Sequence, residues 1–472
     1  MKSLEEIFEG GLKPEKIMEI LSSQGKDCPS WGELEKNFVP KLHDIIADPS
    51  RRPRVKVKNA KKEVPAKLVY PAEMIAARRM NQMAFSIPVK RRYSKPSNDS
   101  EKAFQNAIDK VYEYVRIDGV NAKRFYAYFA GCECATFWFV VEGKEEHNRY
   151  GFPTKSKIRC RSFSPMPKKY SKITSAKIYP YFDDMDDLIV LSFEYRDADS
   201  VDHFDAFTAE KAYYFTKEGS EWILEDVDID INKIPAIYLC RPLPIYDGIS
   251  TNRDDIEFTL SRNSDNIRKN STPILKIMGT IEGDMPVGDT SRQVYKLEQG
   301  GDLDLVAPAL TTSDSKTHVD MLKQINCEVT QLPDLSLENI KGLGAQSGEA
   351  RKTLLTDAHL KVKEESHDII EFLDREFEVV KAIVAHENPE WMPFVHTTTC
   401  KHVITPFIQN DTTTDINNLT KANGGKAIIS HKASVMEANL VEDPEADYEQ
   451  IETEAAAQSE TERQIELFPG AE

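Results

Sequence analysis

The chain has 472 residues, 40% hydrophobic and 29% charged, with a formal net charge of −17. That length exceeds what one hydrophobic core usually supports, so two or more subdomains of a globular, non-fibrous protein are expected. The charge argues against a protein that grips nucleic acid over its whole surface, but not against an acidic wall past which nucleic acid slides.

No run of about 18 apolar residues offers a membrane span. The opening Met1-Lys-Ser-Leu-Glu-Glu6 has acids where an export signal needs an apolar core, so secretion is not expected. Seven scattered cysteines suit reduced thiols made in a cytoplasm better than a disulfide framework.

In chain order, the first sixty or so residues read as an attached arm: two short helices broken at Gly10-Gly11 and Pro14, then a basic run over 51–62. Helices are predicted over 72–85 and 101–115, the second with Phe104, Ile108, Val111 and Val115 on one face. From Arg124 to Ile231 the apolar period changes to two and predicts strands. Cys132 and Cys134 share one strand face as buried apolar residues, and Glu218-Gly219 marks a hairpin. Asp226, Asp228 and Asp230 mimic the start of a calcium loop. That loop wants Gly and Glu where Ile231 and Ile237 stand, so a strand with a wet face is expected instead.

The centre of the chain is 233–386. A short strand from Ile234 leads to a helix over 250–269 with a narrow seam at Ile249, Ile256, Leu260 and Ile267. A turn-rich segment with strand character follows to Pro308. A second helix then carries Val319, Leu322, Ile325 and Val329 and is stopped by Pro333. Each helix spans about 30 Å. After the loop 333–346, with Gly342 and Gly344, a long helix opens at Ser347 and runs toward Pro389 through a waist, 361–368, that reads as polar all round. A strand over 396–405 would put His396, Cys400 and His402 on one face, but no fourth ligand stands at zinc spacing. A helical pair around Gly424-Gly425 and an acidic tail from Glu442 complete the chain.

Phosphate-loop, dinucleotide-binding, zinc-protease, nucleophile-elbow and paired C-x-x-C motifs are all missing. The cluster Asp183, Asp184, Asp186 and Asp187 could serve a metal-dependent nuclease, the alternative of a different class. A solvated turn is the simpler reading. No catalytic residue, metal or cofactor is assigned.

From Ile234 onward the chain resembles the portal proteins of tailed bacteriophages, of the long-tailed siphophage type. The match rests on ordered pieces: Ile234-Pro235 before the 246–269 helix, Tyr295-Lys-Leu-Glu-Gln-Gly-Gly-Asp302, Gly344-Ala-Gln-Ser-Gly-Glu-Ala350, Phe407-Ile-Gln-Asn-Asp411, and Asp443-Pro-Glu-Ala-Asp-Tyr-Glu449. It is good over 234–455, plausible over 66–233 and absent for the arm, whose role is therefore open.

The resemblance implies a non-enzymatic α+β portal fold with wing, helical stem, β-rich clip and helical crown. The arm would be 1–65, the wing 66–249 and 347–404, the stem 250–269 and 311–331, and the clip 270–310. The tunnel loop would be 332–346, the crown 405–441 and the tail 442–472. Twelve copies would form a homo-oligomeric ring at one capsid vertex of the virion, carrying roughly −200 charges around double-stranded viral DNA. The ring would dock the large terminase during packaging, then the head–tail adaptor, and let the genome out at ejection. It would also meet the major capsid protein and, depending on the arm, the scaffold; another oligomeric head or tail protein is the nearer alternative. Tunnel-loop candidates are Leu335, Asn339, Ile340, Lys341, Gly342, Leu343 and Gly344. Arg262, Lys316 and Lys323 on the stem are candidates for weak phosphate contacts, with inter-subunit ion pairs as the competing reading.

Overall fold

The computed structural model describes residues 4–53, 64–167, 175–270, 274–278, 302–306, 313–334, 355–407, 412–424, 427–438 and 447–457. It divides into two units, one of 1–334 with 357–407 and the other of 335–356 with 408–472.

The larger unit is built on two antiparallel sheets. Strands β2 (Glu133–His147), β3 (Thr154–Phe163) and β9 (Ala236–Cys240) form a three-stranded sheet in the order β3-β2-β9. Strands β4 (Ala176–Phe182), β5 (Leu188–Arg196), β6 (Asp202–Phe207), β7 (Lys211–Glu218) and β8 (Glu221–Asp228) form a five-stranded meander. Ala135, Phe163 and Tyr238 of the first sheet share one core with Ile178, Phe193 and Phe207 of the second. Stacked rings (Phe163 on Phe193, Phe137 on Phe207) fix the contact. The predicted hairpin is there: Glu218 pairs with Glu221, and Gly219 takes the positive φ of +63° that the two-residue turn requires.

The arm lies on the meander. A short helical turn, Glu5–Glu9, and helix α1 (Pro14–Ser22) bury Ile7, Ile17 and Leu21 against Tyr181, Val190, Phe204 and Phe215. Phe8 stacks on Tyr213 with ring centres 3.8 Å apart. Helices α2 (Trp31–Phe38) and α3 (Asp44–Ala47) follow. The sequence signalled α1 but not α2, whose eight residues carry only Leu34 and Phe38 as buried anchors.

Behind the three-stranded sheet lie α4 (Ala72–Phe85), α5 (Asp99–Val115) and α6 (Ile117–Gly131), with a short ladder between β1 (Lys90–Tyr93) and β12 (Cys400–Val403). Helix α6 corrects the expectation of strands from Arg124. Arg124, Phe125, Ala127, Tyr128, Phe129 and Ala130 are buried and Tyr126 is half-buried, so this second half of the helix has no polar face and no helical period to read. Cys132 ends that helix in the left-handed region, at φ +63°, instead of sharing a strand face with Cys134, although both are buried.

The central helices are α7 (Ser250–Asn270) and α8 (Ser313–Thr330), with strands β10 (Ile274–Met278) and β11 (Asp302–Val306) paired antiparallel between them. Helix α9, Thr356–Glu387, falls within the expected long helix and stops short of Pro389. The expected start at Ser347 lies outside the described residues. Its waist is not polar all round: Val362, Glu365 and Ser366 are buried, and Arg241 grips Glu365 with both guanidinium nitrogens at 2.9 and 3.0 Å. In the second unit, helices α10 (Thr412–Asn423) and α11 (His431–Ala438) make the pair expected around Gly424. No helix among the described residues is long and apolar enough to cross a membrane.

Candidate functional site

Helix α7 is held on two sides. Arg253, Glu257, Ser261 and Asp265 repeat every four residues and so form one stripe. Three of them take backbone N–H groups from one extended segment running alongside: Tyr70 donates to Glu257 at 2.8 Å, Leu68 to Ser261 at 2.9 Å, and Ala66 to Asp265 at 2.9 Å. Arg253 donates to the Asn37 carbonyl at 2.9 Å and sits 3.1 Å from Glu73. His43 lies 2.6 Å from Glu257 through Nδ1 and 2.9 Å from the Asn37 carbonyl through Nε2. Arg52 pairs with Asp265, so this part of the basic run has an acidic neighbour in its own chain. Burial pushes the Glu73 carboxyl up to about 7, against the pull of Arg253.

The other side carries the predicted seam. Ile256 is fully buried and packs with Leu260 against Val319, Leu322 and Ile325 of α8. Asn252 bonds Asn326 at 3.0 Å and His318 lies 2.7 Å from Asp255, so the helices run antiparallel. Gly248 sits at φ +83°, a conformation side chains rarely adopt, and a Cβ there would meet the Val329 Cγ1 at an ordinary contact of 3.5 Å. The seam is only partly covered. Ile267 (46% exposed) and Val329 (50%) remain open, as does Met321 (58%), one turn before Ile325 on α8.

Among the stem candidates, Arg262 is exposed beside Phe258, its guanidinium carbon 5.8 Å from the ring centre, and Lys316 is exposed. Lys323 leans inward, 5.8 Å from the Tyr70 ring centre and 4.0 Å from Asp320. The tunnel-loop candidates Leu335, Asn339, Ile340, Lys341, Gly342, Leu343 and Gly344 lie outside the described residues. Sequence reasoning did not single out the polar stripe of α7, although its spacing of four was a readable signal.

The acidic clusters are structural. Asp183 accepts the backbone N–H groups of Met185 at 2.8 Å and Asp187 at 2.9 Å, closing an exposed turn. Asp226 pairs with Lys211 at 2.9 Å. The strand expected over 396–405 shortens to Cys400–Val403, because Pro389–Val395 forms a 3-10 helix that ends at His396. His402 then turns to Asp374 at 2.7 Å. Among the described residues no three His, Cys, Asp or Glu side chains converge as a metal site.

The arrangement is a helical pair clamped to a sheet-based body. Residues 32–461 match the family described as phage portal protein, SPP1 Gp6-like, and the chain belongs to that family. It is accordingly a portal protein of the phage capsid vertex, a head–tail connector and not an enzyme. No curated protein matches it.

Proposed function

We propose that twelve copies of this chain close into a ring around the viral DNA duplex, with α7 and α8 as the stem. The observation that carries this reading is the partly covered seam. One chain buries Ile256, Val319 and Leu322 but leaves Ile267, Met321 and Val329 open, as a head-to-tail contact with the next subunit requires. In this reading the segment 270–310, with β10 and β11, is the clip that docks the large terminase and later the head–tail adaptor. The tunnel loop is 332–346, the wing 66–249 and 347–404, the crown 405–441 and the acidic tail 442–472. The arm, 1–65, belongs to the outer body, where capsid or scaffold protein can meet it. The net charge of −17 per chain keeps the wall repulsive, so the genome slides in and later out without sticking. Lys341, Arg262 and Lys316 supply weak phosphate contacts. Lys323 serves the subunit's own packing through Tyr70.

The test is packaging by phage carrying Lys341→Ala and Arg262→Ala. DNA-filled heads should fall severalfold while rings still form. Filling at the unsubstituted level would remove these residues from the channel.

A further inference from the structure

Cys28, in the loop after α1, and Cys240, at the end of β9, belong to distant parts of the sequence but meet at one buried polar cluster. Cys240 lies directly across the ladder from Glu133. The Cys28 sulfur is 3.8 Å from the Glu133 carboxylate and 3.8 Å from the Tyr238 hydroxyl, and Tyr238 shares the strand face of Cys240. Tyr238 donates to Glu133 at 3.1 Å, and Lys26 reaches the same carboxylate at 3.1 Å.

The Cys28 thiol donates to the Glu133 carboxylate, and its nearness to Cys240, with help from Tyr238, brings Cys240 down to about 7. Cys28 is held protonated by the neighbouring Cys240, by burial and by the charge of Glu133. Burial instead pushes Cys132 and Cys160 up to about 12 and Cys400 to about 11. The pair is therefore biased toward thiol at Cys28 and thiolate at Cys240, while burial disfavours the thiolate of these three cysteines. A cavity of about 520 Å³ lined by Lys26, Cys28, Trp31, Glu133 and Tyr179 opens on the Cys28 side of the cluster.

We propose that Cys28 and Cys240 close a disulfide when the chain meets an oxidised low-molecular-weight thiol, tying the arm to the strand that leads into α7. The Cys240 thiolate attacks one sulfur of glutathione disulfide, forming a mixed disulfide and releasing one glutathione thiolate, which takes the proton of Cys28. The Cys28 sulfur then attacks the Cys240 sulfur and expels the second glutathione. Two protein thiols are oxidised and one glutathione disulfide is reduced to two glutathiones. The staple stays open in a reducing compartment and closes outside one. It holds the arm, already seated through Ile7, Ile17 and Leu21, against the body.

The test is native incubation of the full chain with glutathione disulfide, alkylation of the remaining thiols, digestion without reduction and mass spectrometry. A Cys28–Cys240 peptide should dominate, with two fewer alkylated thiols and a melting temperature raised by several degrees. Cys28→Ser, at a half-buried site, should fold normally and lose both the peptide and the shift. The inference is overturned if folded wild-type protein keeps both thiols alkylatable, stops at a mixed disulfide on Cys240, or pairs other cysteines instead.

Discussion

Replacing Glu376 by Ala should be among the most damaging single changes in the larger unit. Its carboxylate takes both guanidinium nitrogens of Arg124, at 2.5 and 2.7 Å, and the Trp138 indole N–H at 2.9 Å. The two charged side chains are 0% and 2% exposed. The guanidinium lies between Phe125 and Phe372, 5.0 and 4.7 Å from their ring centres, and also donates to Thr136 and Asn121. Removing the carboxylate leaves a cation with no water and no counter-charge, a loss of about 3–5 kcal/mol. With an unfolding entropy of about 2 cal/mol/K per residue, a unit of this size loses about 1 °C or a little more per kcal/mol, so the melting point should drop by about 4–6 °C. Arg124→Met with Glu376→Leu, which removes both charges and keeps apolar volume, should cost less than Glu376→Ala alone. Chemical denaturation of Arg124→Met, of Glu376→Leu and of the double variant measures the cycle, with Glu376→Ala beside them. A loss below about 1 kcal/mol for Glu376→Ala, or a double variant as unstable as the two singles added, would refute the reasoning.

Three further outcomes follow from the same structure. Glu73 ionises near 4.5 when unfolded but near 7 in the fold, because burial disfavours its charge. Between those values the folded state keeps a proton that the unfolded state has released, so stability falls as pH rises through that window. Asp205, raised by burial to about 6, adds the same sign at its lower end, and Glu73→Gln should flatten the pH dependence of the melting temperature. Gly248→Ala places a Cβ at φ +83° against Val329 and should cost about 1–2 kcal/mol by thermal melting, loosening the start of α7. Replacing Asp183, Asp184, Asp186 and Asp187 together by Asn should leave oligomer formation and DNA-filled heads near normal, since the cluster closes an exposed turn. A severe packaging defect in an intact oligomer would reopen a chemical role.

What could be read from the sequence followed the strength of each periodic signal. The seam of α7, the helix over 72–85 and the Glu218-Gly219 hairpin were legible because one face of each is wet and the other dry. The second half of helix α6 was not, because burial nearly all round erases the period there. The strand expected around His396 was too long, because Pro389 and Pro393 favour a 3-10 turn before it. The arm looked detached because its few apolar residues, Ile7, Ile17 and Leu21, gain meaning only against a sheet nearly two hundred residues later. The clamp on α7 shows the same limit. Arg253, Glu257, Ser261 and Asp265 read as an ordinary solvated face until Ala66, Leu68 and Tyr70 bring their N–H groups to it.

Electron microscopy of the purified, full-length oligomer tests the central claim most directly. Annular particles with a central hole wide enough for a DNA duplex, lost when Met321 and Ile267 are both changed to Asp, are the predicted result. A protein that stays a single-copy particle under every condition would contradict it.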